Sequence, residues 1–520
     1  MRRGSVPYPM LTLRSIIARN AAWYPDHVAY VDGSRRLTHR QYADRVGRLA
    51  GALAARGVRR QDRVAILSIN SLAYCEVYGA CEWSGAIAAT INFRLAAPEV
   101  DWILADSGAR VLFFEDAFAA LVDGLRGGHP QLQLVCIGTA PPWAEDYQAL
   151  LDGGDAAAST APQAGDGVSL IYTSGTTGRP KGVLKTHRIE VRTAEMLALE
   201  MDVAAHSRAL LATPLFHVGA RNVRLAHMLR AGACVVARGF DAPAFPSLVQ
   251  RERINTVFLV AAQLQMVLDL PDIDDHDLSS LVTVGMAGAP IPVPLLERAI
   301  RRIGRAIMVQ YGMTEGQIAS LYRHELRPDG GADEIRRIGS VGHALPGGEL
   351  RVVDEQGRDC AAEQPGEVWF RNDSVMAAYW NNSAATQEAL ADGWMRTGDI
   401  GVQDAAGFLY LVDRKKDVII SGGENIYSRE VEEALHRHPA VVEAAVIGIP
   451  DQRWGESVQA YVVLRPGETV AAEALIEFAR TRIAKYKCPK AIAFVAELPR
   501  LPTGKVSKLA LRAQHRAGAT

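Results

Sequence analysis

Apolar and polar positions along the chain fall into two periods. Residues 11–24 carry apolar side chains at helical spacing and stop before Pro25-Asp26; residues 41–56 do the same and are closed by Gly57 in the manner of a C-cap. Between them, 28–31 alternates toward Asp32-Gly33, a hairpin-like turn. Residues 64–67, 86–91 and 111–114 are short apolar runs of buried-strand type, and 71–84 reads as a helix. The pattern resumes after residue 208, where 209–213, 234–237, 256–260 and 281–285 predict strands separated by helices. Alternation of this length predicts parallel, doubly wound α/β sheets. After Pro346-Gly347-Gly348 the chain changes character. Residues 349–353 and 367–371 alternate around a turn at 354–357, which predicts an antiparallel β segment. The remainder predicts a small α+β unit, with strands at 441–449, 459–464 and 491–495 and helices at 428–438 and 471–485.

At 520 residues the chain is too long for one core. The charged stretch 412–417, between two apolar runs, divides it into a large N-terminal domain, 1–413, and a small C-terminal domain, 414–520. Hydrophobic content of 48% with 22% charged residues is ordinary for a soluble protein. A net charge of −1 supplies no field for nucleic acid, so that partner class is set aside. The six cysteines form no CxxC pair, which points to reduced thiols in a cytoplasmic protein. No apolar h-region follows Arg2 and Arg3, so no signal peptide is expected. No apolar run reaches the ~18–20 residues of a membrane span.

The densest chemistry lies at 168–183. An apolar run ending at Tyr172 meets Thr173-Ser174-Gly175-Thr176-Thr177-Gly178, followed by Lys181-Gly182. Glycines let backbone N–H groups turn toward an anion, hydroxyls add donors, and Lys181 adds charge; together they form a cradle for a polyphosphate. It is not a Walker A loop, whose Gly-Lys-Ser/Thr is missing. Six further segments accompany it: Pro214-Leu215-Phe216-His217-Val218-Gly219; Met286-Ala287-Gly288-Ala289-Pro290; Gln310-Tyr311-Gly312-Met313-Thr314-Glu315; Trp394-Met395-Arg396-Thr397-Gly398-Asp399; Asp413-Arg414-Lys415-Lys416-Asp417 with Gly422-Gly423 beyond; and Leu501-Pro502-Thr503-Gly504-Lys505. Tyr311 offers a stacking face, Thr314 a donor for phosphate, and Glu315 a hard oxygen ligand suited to Mg²⁺. Asp399 has two oxygens for a pair of ribose hydroxyls. Each segment alone has a plainer reading: a core histidine, a tight turn, a solvated charge run, a surface lysine.

Taken together, from about residue 30 to about 510, the segments resemble the adenylate-forming superfamily, in its acyl-CoA synthetase branch. The resemblance implies the α/β fold already read from the pattern, with a C-terminal domain that is mobile. It implies an ATP-dependent acid:CoA ligase that activates a carboxylic acid as acyl-AMP, releases pyrophosphate, and then forms acyl-CoA. ATP, Mg²⁺ and coenzyme A are the implied cofactors and partners, with a small carboxylic acid, and a homodimer is an open oligomeric state. It assigns Lys505, His217, Thr314 and Glu315 catalytic roles, Glu315 also holding the metal. Nucleotide contacts fall to Thr173–Gly178, Lys181, Gly288, Ala289, Pro290, Gln310, Tyr311, Gly312, Asp399 and Arg414. Lys416 takes the hinge position, Gly422 and Gly423 line the pantetheine route, and Trp454 meets CoA, with core packing its plainer alternative. Two departures are small: Met395 stands where Tyr or Phe is commoner, and Ser428 where the family often has proline.

The candidates for lining the acid pocket are Val218, Gly219, Arg221, Asn222, Ala287, Met313, Gln317 and Ile318, with Gly312 beside them. Mostly small and apolar groups point to a medium-chain, alicyclic or aryl acid. Arg221 is the exception. It either pairs a second carboxylate, as in a malonate-type diacid, or makes an outward salt bridge, with Arg224 sharing that surface; the outward bridge is expected. The rival functions are an adenylating enzyme that loads a carrier protein, a luciferase-like oxygenase and a non-catalytic nucleotide-binding regulator. A peptide-synthetase domain is disfavoured because the chain ends soon after Lys505, and a serine hydrolase because no Gly-x-Ser-x-Gly elbow appears.

Overall fold

Local signals fix many element boundaries. Thr38 caps the helix His39–Ala55 with a reciprocal Gln41 contact, and Gly57 follows it at φ +80. Ser71 accepts the Tyr74 N–H at 3.1 Å to open Leu72–Ser84, and Gly85 closes that helix in the left-handed region. The computed structural model describes residues 11–156, 159–173, 180–288, 291–304, 306–421, 424–451, 454–501 and 504–518. Contacts divide the chain into two units. One takes the chain up to Ile338 with Ala344–Glu349 and Arg371–Glu388; the other takes Gly339–His343, Leu350–Phe370 and the chain from Ala389.

The first unit is built on two sheets. In one, Arg63–Leu67, Ile87–Thr90, Val111–Glu115 and Gly167–Thr173 run parallel. In the other, Arg208–Leu211 lies between Ala233–Val236 and Thr256–Leu259, and Thr283–Met286 and Ile307–Met313 follow, all parallel. These strands are apolar on both faces, as parallel strands covered by helices must be. One core cluster joins both sheets through the helices Leu13–Trp23, His39–Ala55, Leu72–Ser84, His187–Glu200 and Val218–Leu229. The α/β fold read from the pattern is the fold observed, with one correction. The sheets are mixed: Lys181–Thr186 runs antiparallel to Gly167–Thr173, and Gly316–Leu321 antiparallel to Ile307–Met313. The connections are too short for a crossover helix, so the chain has to turn back as a hairpin.

In the second unit, Trp394–Gln403 is flanked by antiparallel Gly366–Arg371 and Leu409–Arg414. Further on, Val441–Asp451 and Gly455–Leu464 form a long antiparallel hairpin, with Ala491–Phe494 parallel to its second strand. Side-chain alternation gives this sheet two cores. Ala444, Val446 and Val458 meet Ser428–His436 and Ala472–Arg480, while Ala445, Ile447 and Tyr461 meet Leu511 of Lys508–Gly518. Among the described residues no helix is long and apolar enough to cross a membrane, and every cysteine is a free thiol.

Candidate active site

In the first unit the singled-out segments leave the carboxyl ends of parallel strands. Pro214–Gly219 follows Arg208–Leu211, the strand about which the order reverses, where open α/β sheets place their ligands. Ala287 and Gly288 (φ +90) follow Thr283–Met286, and Thr314-Glu315 is the turn between Ile307–Met313 and Gly316–Leu321. Thr173 and Lys181 are cross-strand partners at the mouth of the first sheet's hairpin. Residues Ser174, Gly175, Thr176, Thr177 and Gly178 lie outside the described residues, as do Ala289, Pro290, Gly422 and Gly423.

The two sheets meet through a residue that sequence reading passed over. Tyr379, on the two-residue strand Ala378–Tyr379, pairs with Val183 of the Lys181 strand. Its hydroxyl donates to Glu315 Oε1 at 2.6 Å, and Lys181 Nζ stands 5.0 Å from its ring centre. Burial and the neighbouring Glu315 carboxylate raise the Tyr379 pKa, so it remains a donor. The Met376 N–H donates to the Glu315 carbonyl at 2.7 Å, and Asn372 Nδ2 to the Gln317 carbonyl at 2.7 Å, which fixes the turn. The available signal was positional: an apolar-flanked tyrosine, remote in sequence from every segment.

Lys185, two residues beyond Val183 on the same strand face, is fully enclosed. Burial lowers its pKa, while Glu190 and Glu315 act to keep its charge. Among the described residues no group of three or more His, Cys, Asp or Glu side chains could hold a metal. The donor set at Glu315 still fits Mg²⁺, which takes one or two carboxylates and completes its shell with phosphate oxygens and water. Space at Gly312 is tight: a Cβ there would lie 3.0 Å from Gln317 Oε1 and 3.1 Å from the Gly316 carbonyl. Gln310 Nε2 and Asn222 Oδ1 are buried with no hydrogen-bond partner among the described residues.

On the acid side, the segment before His217 is clamped by three residues that sequence reading also missed. Asn70 accepts the Leu215 N–H at 2.7 Å and donates to the Thr213 carbonyl at 2.8 Å; Tyr78 donates to the Leu215 carbonyl at 2.8 Å, and Thr90 to that of Phe216 at 3.2 Å. His217 packs on Phe216 with ring centres 4.3 Å apart, and its N–H donates to the Pro214 carbonyl. Val218, Gly219, Ala287, Met313 and Gln317 are half-buried; Asn222 and Ile318 are buried.

Arg221 corrects the expectation. Its salt bridge points inward. The guanidinium is 0% exposed, 2.9 Å from Glu190 and 3.3 Å from Glu82, and lies 4.4 Å from the Tyr78 ring centre. Arg224 is enclosed beside it, bidentate to Glu82 at 2.9 and 2.7 Å. Burial opposes both charges, yet the carboxylates outweigh it and raise the pKa of each arginine. Glu190 in turn is lowered: burial works to raise it, but Arg221, Lys185 and the Ser169 hydroxyl prevail. The helix Val218–Leu229 turns these two arginines to its packed face, so they face Glu82 and Glu190.

The second unit carries the remaining candidates. Gly398 (φ +70) bulges the Trp394–Gln403 strand. It leaves Asp399 opposite Arg414, with Arg414 Nε 2.7 Å from the carboxylate. Gly-Asp here is therefore a strand bulge and not the common turn. Lys416 sits in the single turn Lys415–Asp417. Trp454 is 41% exposed where the long hairpin turns, which removes the core-packing alternative. Lys505 is exposed in a turn closed by Leu501 N–H to the Lys505 carbonyl at 2.7 Å.

Comparison with known proteins decides the family. The AMP-binding enzyme family matches residues 17–380, and the C-terminal domain of those enzymes matches 430–505. The chain belongs to the AMP-binding enzymes. It is 40% identical to an indoleacetate–CoA ligase of Aromatoleum aromaticum, covering 96% of this chain and 97% of that protein. It is 39% identical to a feruloyl-CoA synthase of Amycolatopsis, covering 94% and 96%. The solved anthranilate CoA ligase AuaEII, in complex with anthranoyl-AMP, superposes with a TM-score of 0.89 at 29% identity, covering 98% of both chains.

This AMP-binding enzyme has relatives named as CoA ligases and synthases. Lys181 and Glu315, gathered on Tyr379, are the residues that fit phosphate and metal in its first unit. In the second unit, Asp399 and Arg414 fit a ribose, a carboxylate that accepts two hydroxyls beside a guanidinium that holds it in place.

Proposed function

We propose that this enzyme joins an aryl, alicyclic or medium-chain carboxylic acid to the thiol of CoA, in the cytoplasm. The observation that carries the reading is the meeting of Lys181, Tyr379 and Glu315 at the carboxyl ends of two sheets. A carboxylate is a poor acyl donor because oxide leaves badly. In the first step an oxygen of the acid attacks the α-phosphorus of ATP, and the bond to pyrophosphate breaks. Lys181 binds the phosphates, and Lys505 offsets charge on the carboxylate and α-phosphate. Glu315 would hold Mg²⁺, whose charge would offset that of the departing pyrophosphate. Asp399 and Arg414 hold the ribose. In the second step the CoA thiol attacks the acyl carbon, AMP leaves with the C–O bonding pair, and the thiol proton passes to solvent. The chain after Lys416, which is all but the first three residues of the C-terminal domain 414–520, turns between the steps, and Trp454, Gly422 and Gly423 then meet CoA.

Small groups at Gly219, Ala287 and Gly312 support a flat or branched acid, as do relatives named for indoleacetate and ferulate. The enclosure of Arg221 counts against a malonate-type diacid. The test is carboxylate-dependent pyrophosphate release with ATP and Mg²⁺, with and without CoA, across aryl, cinnamic, fatty and short dicarboxylic acids, product mass being checked. Release with acyl-CoA as product is expected. Stalled acyl-AMP would mean a carrier protein is the acceptor, and no release with any acid would make the regulator reading the better one. Size-exclusion chromatography tests the homodimer.

A further inference from the structure

The second unit gives Ser428 a specific set of partners. It is 0% exposed and begins the helix Ser428–His436. Its N–H and its hydroxyl both donate to Asp413 Oδ2, the hydroxyl at 2.8 Å. Lys508 donates to the same hydroxyl oxygen and pairs with Glu432 at 2.8 Å. Glu432 also accepts the Val446 N–H at 2.8 Å, so the network is anchored in the long hairpin. A neighbouring tie runs from Arg429 Nη1 to the Leu411 carbonyl at 2.9 Å.

The partners straddle Lys416. Asp413 belongs to the Leu409–Arg414 strand and pairs with Ile400, before that residue. Ser428, Glu432 and Lys508 come after it. Any rotation of the chain beyond Lys416 against that strand breaks both Ser428–Asp413 bonds. Lys508 opens the last helix, three residues after Lys505, and the intervening Ser507 N–H is bonded to the Pro499 carbonyl at 2.7 Å. The turn bearing Lys505 is thus held to the strand before the pivot through Lys508 and Ser428. The helix N-terminus adds to the hold, since an anion at that end is favoured.

We propose that Ser428 is a positioning residue for Lys505, a latch across Lys416 that holds one orientation of the C-terminal part and must be released for the other. It rests on the reading of the function given above, with Lys416 as pivot. A proline at this position makes neither bond, having no N–H and no hydroxyl.

Ser428→Pro is therefore the informative variant, because proline is well tolerated at the first helical position. Amide exchange over residues 414–421 is expected to quicken about tenfold per charged hydrogen bond lost. Acyl-AMP formation and thioester formation from supplied acyl-AMP are expected to change in opposite directions, shifting their ratio about tenfold or more. Ser428→Ala keeps the N–H and should give the smaller effect; Ser428→Thr, which keeps both donors, should restore the wild-type ratio. Unchanged exchange over 414–421 in folded Ser428→Pro or Ser428→Ala protein would overturn the latch, as would equal slowing of both half-reactions. If the wild type releases no pyrophosphate with any acid, the functional reading fails, and exchange alone still judges the latch.

Discussion

Arg221 separates a structural charge from a substrate-reading one. Replacing it with alanine removes one cation from a run in which Glu82 keeps Arg224 but Glu190 keeps only the Ser169 hydroxyl, at 2.6 Å, and Lys185. Glu190 is 1% exposed at its side chain, so bulk solvent does not reach it to offset the loss of the guanidinium. Removing one partner of a buried ion pair costs about 3–5 kcal/mol. With about 2.1 cal/mol/K of unfolding entropy per residue, a unit of roughly 360 residues shifts by about 1.3 °C per kcal/mol, so the melting midpoint should fall by roughly 4–6 °C. Arg221→Met with Glu190→Gln should recover part of that, because the double change leaves no uncompensated carboxylate. The assay pairs thermal melts with pyrophosphate release for monoacids and short diacids. Activity should fall equally for both acid classes. An unchanged midpoint with a tenfold loss confined to diacids would refute the reasoning, since the guanidinium would then have to face the ligand.

Tyr379→Phe removes the donor that orients Glu315. Mg²⁺ should support nucleotide binding about tenfold less well, as when partners of metal ligands are lost, and unchanged affinity in a calorimetric titration would rule out the orienting role. Lys505→Ala should abolish acid-dependent pyrophosphate release yet leave thioester formation from supplied acyl-AMP; equal loss of both steps would count against its assigned part. Burial holds His187 and His227 down to about 4, against an ordinary 6.5. The unfolded chain therefore binds more protons than the folded one between those values, and stability falls as pH drops through 6.5 toward 4. The slope is at most about 1.4 kcal/mol per pH unit for each ring. Urea midpoints of His227→Leu and wild type, measured at pH 7 and 5, should converge on acidification; a constant gap would mean His227 does not titrate in that window.

What the sequence determined by itself was local. Two-residue and 3.6-residue periods, with a cap at Gly57, were enough to find strands such as 64–67 and helices such as 41–56, because backbone geometry sets those periods wherever the chain goes. The segments that hold Lys181, Glu315 and Asp399 stood out in the sequence too, because together, though not singly, they resemble one family. Tertiary structure decided what meets what. Tyr379 reaches Glu315 from 64 positions away, and Arg224 reaches Glu82 from 142. No local pattern specifies such pairs. Arg221 shows the limit most clearly. An arginine in a turn of helix is expected at the surface, and its inward direction follows only from two acidic residues on other helices. Desolvation makes an unpaired charge intolerable inside a protein, so its direction is settled by where the opposite charges are brought, and packing of distant segments decides that.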